Sequence, residues 1–208
     1  AAISRLAGAL AALHARRVMH LDVRPATIAV DPVSHAVGLF DWGHAVPAER
    51  VANDEARLPG FDAQGVQYAS LELLTGRAPH PADDVFAFGC VAYEMLTGRH
   101  PFGRRTASEA ASLGLEPDLV MGLSRHEQSL LRRALALHGT RRDVTMAQIA
   151  DAFSPGDDPD LPTSSRGQRA VLVVAALALA CTVAWVAWQH LGAPPTATVQ
   201  TEAPAPAR

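Results

Sequence analysis

The chain has 208 residues, a formal net charge of −3, nine histidines and two cysteines. That length suits one domain with additions, and a near-neutral balance with no basic stripe excludes a nucleic-acid binder. Cys90 and Cys181 lie in different apolar segments, with no partner at metal-ligand spacing. They read as buried thiols of a protein kept in a reducing compartment. No His pairs with another His or a Cys at ligand spacing, so these residues exclude a His/Cys metal centre.

Ile3, Leu6, Leu10 and Leu13 recur at helical spacing on an Ala-rich background, predicting a one-striped helix that ends near Arg16 and Arg17. The polar stretch His20-Leu-Asp-Val-Arg-Pro-Ala-Thr27 follows. Thr27–Val30 and Ala36–Phe40 are short apolar runs around the turn residues Asp31, Pro32 and Ser34. They predict a small hairpin that delivers Asp41 beside Asp22. Residues 44–66 are irregular, with Pro47, Pro59, Gly60 and Gly65, and no Ser, Thr or Tyr occurs between Gly43 and Tyr68. Asp83 and Asp84 open a helix through Leu96, closed by Gly98. Val85, Phe86, Phe88, Val91, Met95 and Leu96 go nearly all round it, which marks a core helix. Thr106–Glu109 and Ser124–Glu127 are capping boxes, the second starting a helix through Leu137, and Thr145–Phe153 is a last helix.

Ser154–Gln168 is a linker of Pro, Asp, Ser and Gly. Ala170–Trp188 then runs without a charge. At about 1.5 Å per residue it just crosses a hydrocarbon core of roughly 30 Å. Arg166 and Arg169 precede it, and Trp185 and Trp188 stand at its far end as interfacial aromatics. The flanks favour a membrane span over a buried globular helix, with the preceding residues in the cytoplasm and a disordered tail after Leu191 outside.

His20, Asp22 and Asp41-Trp42-Gly43 resemble the catalytic loop and metal-binding turn of a eukaryotic-type protein kinase. That family's pattern is His-Arg-Asp, a Lys two residues on, an Asn three beyond, then Asp-Phe-Gly. Leu21, Arg24, Thr27 and Trp42 depart from it. Asp84-Val-Phe-Ala-Phe-Gly89 is similar to the family's Asp-x-Trp-x-x-Gly, and Tyr93–Phe102 follows the family almost residue for residue. Tyr68-Ala-Ser-Leu-Glu72 resembles the Ala-Pro-Glu end of its activation segment. The resemblance covers residues 1 to about 153 and is to bacterial, membrane-anchored Ser/Thr protein kinases.

The resemblance implies roles. Asp22 would accept the proton of the attacking hydroxyl, and Arg24 would steady the transferred phosphoryl group in place of the Lys. Asp41 would bind the Mg²⁺ that accompanies ATP. Thr27 would stand at the second metal-binding position, where a neutral hydroxyl is a poorer ligand than an amide oxygen. His20, Glu72, Asp84 and Arg142 would be structural. Asp84 would hold the backbone of the catalytic loop, and Glu72 would pair with Arg142 to clamp the activation segment. Gly65 stands where the family has a Thr whose hydroxyl bridges the catalytic Asp and Lys. Leu21 stands where an Arg grips an activation-segment phosphate. The missing phosphate acceptor and the missing receptor fit one explanation, or separate drift.

All 18 cationic residues are Arg, so the family's ATP-anchoring Lys is not in this chain. With few residues before His20, the large lobe alone is expected. The expected fold class is therefore mainly α: a protein-kinase-like C-terminal lobe, helical with a small β-hairpin, over 1–153. A juxtamembrane linker over 154–169, a single transmembrane helix over 170–190 and an extracytoplasmic tail over 191–208 complete it. The expected setting is an inner or plasma membrane, crossed once, with the lobe in the cytoplasm. The expected function is phosphoryl transfer from ATP to protein hydroxyls, with a protein substrate or signalling partner and no nucleic acid. The rivals are a pseudokinase that recruits partners at the membrane and a small-molecule phosphotransferase.

Overall fold

The structure, a computed structural model, describes residues 1–34, 36–53 and 60–154. Helix α1 (Ala2–Ala15) buries Leu6 and Leu10 of the apolar stripe read from the sequence, together with Ala7, while Ile3 and Leu13 of that stripe are partly buried. Strand β1 (Val18–Met19) leads into the polar loop, which ends in a 3-10 turn over Pro25–Thr27. Strands β2 (Ile28–Val30) and β3 (Val37–Leu39) form the expected antiparallel hairpin, with Ala29 opposite Gly38. Strand β4 (Val46–Pro47) returns to pair with β1, Met19 facing Val46, and leads into α2 (Ala48–Ala52). This two-residue ladder ties the entrance of the polar loop to the chain just past Asp41.

A short helix, α3 (Leu71–Leu74), precedes the long α4 (Pro81–Thr97). Helix α4 starts with the Asp83 carboxylate accepting the His80 N–H and the His80 ring accepting the Ala82 N–H, and it ends at Gly98 in the left-handed conformation (φ +71°). Every residue from Asp83 to Tyr93 is buried, as the apolar pattern predicts, but Met95 and Leu96 of that pattern are exposed in the last turn. Helices α5 (Ala107–Ser112), α6 (Arg125–Ala134) and α7 (Met146–Ala152) each open with a capping box, on Thr106, Ser124 and Thr145. Helix α6 stops at Ala134, short of the expected Leu137.

The main core gathers Leu6 and Leu10 of α1, Phe86, Phe88 and Val91 of α4, Leu130 and Leu131 of α6, and Met146 and Ile149 of α7. Gly89 lets α4 and α6 come close: a Cβ there would lie 3.2 Å from Leu135 Cδ2 and 3.3 Å from the Ala134 backbone. The Phe86 ring stacks on Phe102 with centroids 6.1 Å apart, which brings the His100-Pro101-Phe102 stretch onto the core. A second, smaller cluster of Met19, Leu21, Val46 and Leu73 lies under the polar loop, with Val51 and Phe61 packed against it.

The lobe is helical with a few small strands. The expected transmembrane component of the fold class is corrected: among the described residues no helix is long and apolar enough to cross a membrane. The longest, α4, has 17 residues, about 26 Å against a hydrocarbon core of roughly 30 Å, and its Asp83 and Asp84 face partners inside the lobe. Of the segments expected as linker, transmembrane helix and tail, 154–208, all but Ser154 lie outside the described residues.

Candidate active site

The polar loop is held from below by one carboxylate. Asp84, fully buried in the first turns of α4, accepts the backbone N–H of Leu21 (2.7 Å) and of His20 (2.8 Å). Its Oδ2 also meets His14 Nε2 at 2.8 Å, so α1 and α4 converge on the same group. Leu21 sits in the left-handed region (φ +60°), a conformation costing a non-glycine residue roughly 1–2 kcal/mol. The two bonds from Asp84 secure it. The Leu21 side chain turns into the small apolar cluster and is 4% exposed.

His20 joins the loop to the hairpin. Its Nδ1 accepts the Asp22 N–H (3.3 Å), so Nε2 carries the proton and donates to the Phe40 carbonyl (3.1 Å). Its ring also lies 5.0 Å from that of Trp42. One imidazole therefore fixes the backbone of Asp22 relative to Asp41, one residue beyond Phe40. Asp41 is exposed and left-handed (φ 59°, ψ 75°), its Oδ1 facing the Gly43 N–H at 3.4 Å.

Asp22 is buried, its side chain 3% exposed. Arg24 Nε lies 3.0 Å from its Oδ1, and His44 Nδ1 lies 3.7 Å from its Oδ2. Burial pushes the Asp22 carboxyl above the usual carboxylate range; the Arg24 charge and the neighbouring His44 oppose the rise without cancelling it, and the Asp41 charge adds to it. Arg24 continues outward to Asp62, whose two oxygens lie 3.0 and 3.1 Å from Nη1. Thr27 is buried, and its hydroxyl is used inside the loop. It donates toward the Asp22 carbonyl (2.7 Å), with the Arg24 carbonyl also near (3.1 Å), and accepts the Arg24 N–H (3.2 Å). It staples the turn closed.

The end of the segment over 60–75 is anchored to the lobe at several points. Glu72 forms an ion pair with Arg142 and accepts the Gly139 N–H at 2.8 Å. The Arg142 side chain is fully buried, with its guanidinium carbon 5.3 Å from the Phe86 ring centroid. Burial alone would raise the Glu72 carboxyl; the Gly139 bond and the Arg142 charge outweigh it and hold the group below its ordinary value. Ser70 caps α3 and donates to Asp83 at 2.6 Å. The Tyr68 hydroxyl donates to Glu94 at 2.7 Å, and His100 Nε2 donates to the Gln67 carbonyl at 3.2 Å, its Nδ1 accepting the Phe102 N–H. The stretch Tyr93–Phe102 thus supplies the partners that fasten Gln67 and Tyr68.

The structure therefore brings His20, Asp22, Arg24, Thr27, Asp41 and Asp84 together in one loop-and-hairpin site, with Glu72 and Arg142 as a separate clamp. Sequence reasoning missed His14, His44 and Asp62. His14 carries no local signal, because only the packing of α1 against α4 gives it a partner. Asp62 had one: an Asp three residues before Gly65 is a turn-capping pattern.

The donor set bears on metal and nucleotide. Magnesium is usually held by one or two carboxylates plus substrate phosphates and water. Asp41 offers such an exposed carboxylate, whereas the Thr27 hydroxyl is committed to the loop. Among the described residues no group of three or more His, Cys, Asp or Glu could hold a metal by itself. The residues fit a single Mg²⁺ that arrives with a nucleotide.

Comparison with known proteins agrees with this geometry. Residues 1–149 match the protein kinase domain family. The chain is 30% identical over 154 residues to serine/threonine-protein kinase PknK of Mycobacterium bovis, covering 71% of this chain and 13% of that protein. It is 30% identical over 173 residues to serine/threonine-protein kinase PknB of Mycobacterium tuberculosis, covering 77% and 27% respectively. It is 26% identical over 206 residues to serine/threonine-protein kinase drp72 of Corynebacterium efficiens, covering 96% and 39%. The chain spans well under half the length of these relatives. With its sequence matched over most of its length by the family and by these relatives, the chain belongs to the bacterial eukaryotic-type serine/threonine protein kinase family.

Proposed function

We propose that this lobe carries the phosphoryl-transfer site of a serine/threonine protein kinase that works slowly, with ATP as donor and a protein hydroxyl as acceptor. The observation that carries the reading is the joint positioning of Asp22 and Asp41. Asp84 fixes the loop backbone and His20 links it to the hairpin, so the two acids are held by the fold.

In this reading Asp22 accepts the proton of the attacking hydroxyl. A carboxyl raised by burial suits a base, since a stronger base takes up a proton more readily. Arg24 keeps a fixed positive charge beside Asp22 and can stabilise charge on the transferred group. Asp41 would hold the Mg²⁺, which when bound neutralises negative charge on the phosphates. Transfer is slow because Thr27 supplies no second metal ligand. Losing about 1.4 kcal/mol of transition-state stabilisation slows a reaction roughly tenfold.

The engagement of the Thr27 hydroxyl favours a second reading, a pseudokinase that keeps the fold as a binding module. One experiment separates them. Full-length protein is incubated with radiolabelled ATP, Mg²⁺ and a generic Ser/Thr substrate, beside the Asp22→Asn variant. Incorporation well below the ordinary range of about 1–100 per second, and absent in Asp22→Asn, supports the slow enzyme. Equal incorporation by both proteins, or none by either, supports the binding module.

A further inference from the structure

Arg24 is held from two sides, and the second side has no assigned role. Its Nε faces Asp22, and its Nη1 faces both oxygens of Asp62. The Asp62 carboxylate also accepts the backbone N–H of Gly65 (2.6 Å) and of Gln64 (3.0 Å). One side chain therefore binds the cation of the catalytic loop and the turn that leads into Tyr68. The Arg24 side chain is only 14% exposed, so these contacts set its orientation. Its Nη2 makes no hydrogen bond among the described residues, which leaves one edge of the fork open.

Gly65 is part of the same arrangement. A Cβ at this position would lie 3.3 Å from Asp62 Oδ1 and 3.5 Å from Asp22 Oδ1. The Asp62 carboxylate thus crowds the place beside Asp22 that a longer side chain at 65 would enter. A carboxylate at 62 and a side chain at 65 compete for one space. No Ser, Thr or Tyr lies between Gly43 and Tyr68, so no phosphate can be added there to do what Asp62 does.

We propose that Asp62 is a positioning residue of the phosphoryl-transfer site: it fixes the Arg24 guanidinium beside Asp22 and locks the 62–65 turn to the catalytic loop through a carboxylate written into the sequence. The regulatory consequence is that this anchor is constitutive, needing no modification of the segment. The inference rests on reading Asp22 and Arg24 as the reacting-site pair, but its physical core, control of Arg24 by Asp62, is tested without turnover.

The test uses the full-length protein as wild type, Asp62→Ala, Asp62→Glu and the double variant Asp62→Ala/Gly65→Thr. Hydrogen exchange is followed at the Arg24 Nε–H and at the Gly65 amide. If Asp62 positions Arg24, Asp62→Ala speeds exchange at both sites by roughly tenfold or more, since opening free energy sets the rate. Asp62→Glu, which keeps the charge, recovers part of the protection at Arg24. The double variant recovers protection at Arg24 as well, because the threonine hydroxyl enters the vacated space. Turnover adds a second readout: kcat should fall roughly tenfold in Asp62→Ala with KM for ATP within about twofold, a fraction of the roughly 100-fold that a 1 Å misplacement can cost. Faster exchange at Gly65 alone, with Arg24 and kcat unchanged, reduces Asp62 to a local turn cap and overturns the proposal. Wild-type protein with no Asp22-dependent turnover defeats the kinase reading instead, and the Arg24 exchange still decides the part played by Asp62.

Discussion

Replacing Asp84 by Asn tests whether one carboxylate holds the catalytic loop. The carboxylate takes three donors: Leu21 N–H on Oδ1, and His20 N–H with His14 Nε2 on Oδ2. Asn keeps a single acceptor oxygen. Turned toward the Oδ2 side, it retains His20 and His14, and its NH₂ then meets the Leu21 N–H donor to donor. A hydrogen bond to a charged group contributes about 1.5–3 kcal/mol, and leaving a buried N–H unpaired costs about 1–3 kcal/mol. These figures overlap, because both count the same lost partner. Against them stands the left-handed Leu21 (φ +60°), whose release returns roughly 1–2 kcal/mol. The net expectation is a loss of about 1–3 kcal/mol. Urea unfolding gives the stability, and amide exchange at Leu21 gives the location. A stability change under about 0.5 kcal/mol, the range of ordinary surface substitutions, with the Leu21 amide still protected, would refute the claim that Asp84 holds this loop.

Further outcomes are expected. Leu21→Ala empties part of the cluster formed with Met19, Val46 and Leu73, and should cost about 2–4 kcal/mol in urea unfolding. Glu72 has a depressed folded value, so its contribution is present above the ordinary glutamate value of 4.5 and is lost as pH falls through the folded one. The stability difference between wild type and Glu72→Gln should accordingly shrink on acidification; the raised Asp22 acts alike in both proteins and cancels, whereas Asp83 is raised less in Glu72→Gln because the Glu72 charge is one cause of its rise. Thr27→Asn should raise Mg²⁺-dependent turnover of the full-length protein severalfold, and an unchanged rate would remove metal ligation as the reason for slow transfer. Gly89→Ala should destabilise the lobe by about 1–3 kcal/mol through overpacking against Ala134 and Leu135, read as a lowered urea midpoint.

The parts of the fold legible in the sequence were those with local or periodic causes. The stripe on α1, the all-round apolar α4, the hairpin turn at Asp31 to Ser34 and the capping boxes on Thr106, Ser124 and Thr145 each follow from residues within a few positions of one another. The Asp84 and Glu72–Arg142 assignments came from motif resemblance, because their partners lie far away in the chain: Glu72 and Arg142 are 70 positions apart. What could not be read was pairing decided by packing alone. His14 reaches Asp84 across an interface between two helices. His44 comes within 3.7 Å of Asp22 only because β4 folds back on β1. The use of Thr27 depended on which way its hydroxyl turned, and three loop contacts within the turn determine that. The end of α6 at Ala134 follows the same logic. Leu135 and Leu137 are apolar, but burial of Leu135 is satisfied by the core after the helix has stopped.

Leu21 and Arg24 show how two departures in one loop can leave its attachment to the following segment intact. On one side of Asp22, the Leu21 side chain lies in a cluster against which Phe61 packs. On the other side, Arg24 forms an ion pair with Asp62, the residue next to Phe61. Adjacent residues of the segment are therefore held by different forces on the two sides of Asp22. The apolar contact is not weakened by charge screening, whereas the exposed Asp62 makes the ionic one sensitive to it. Raising ionic strength should thus loosen the Arg24 side without releasing Phe61. An Arg at position 21 would bring a charge into the apolar cluster, and with no phosphate-accepting residue between Gly43 and Tyr68 that charge would find no anion to balance it. On the proposed reading, leucine at 21 and an acid at 62 are thus mutually consistent: neither calls for an added phosphate, one filling its receptor's place with apolar packing and the other supplying a permanent negative charge nearby.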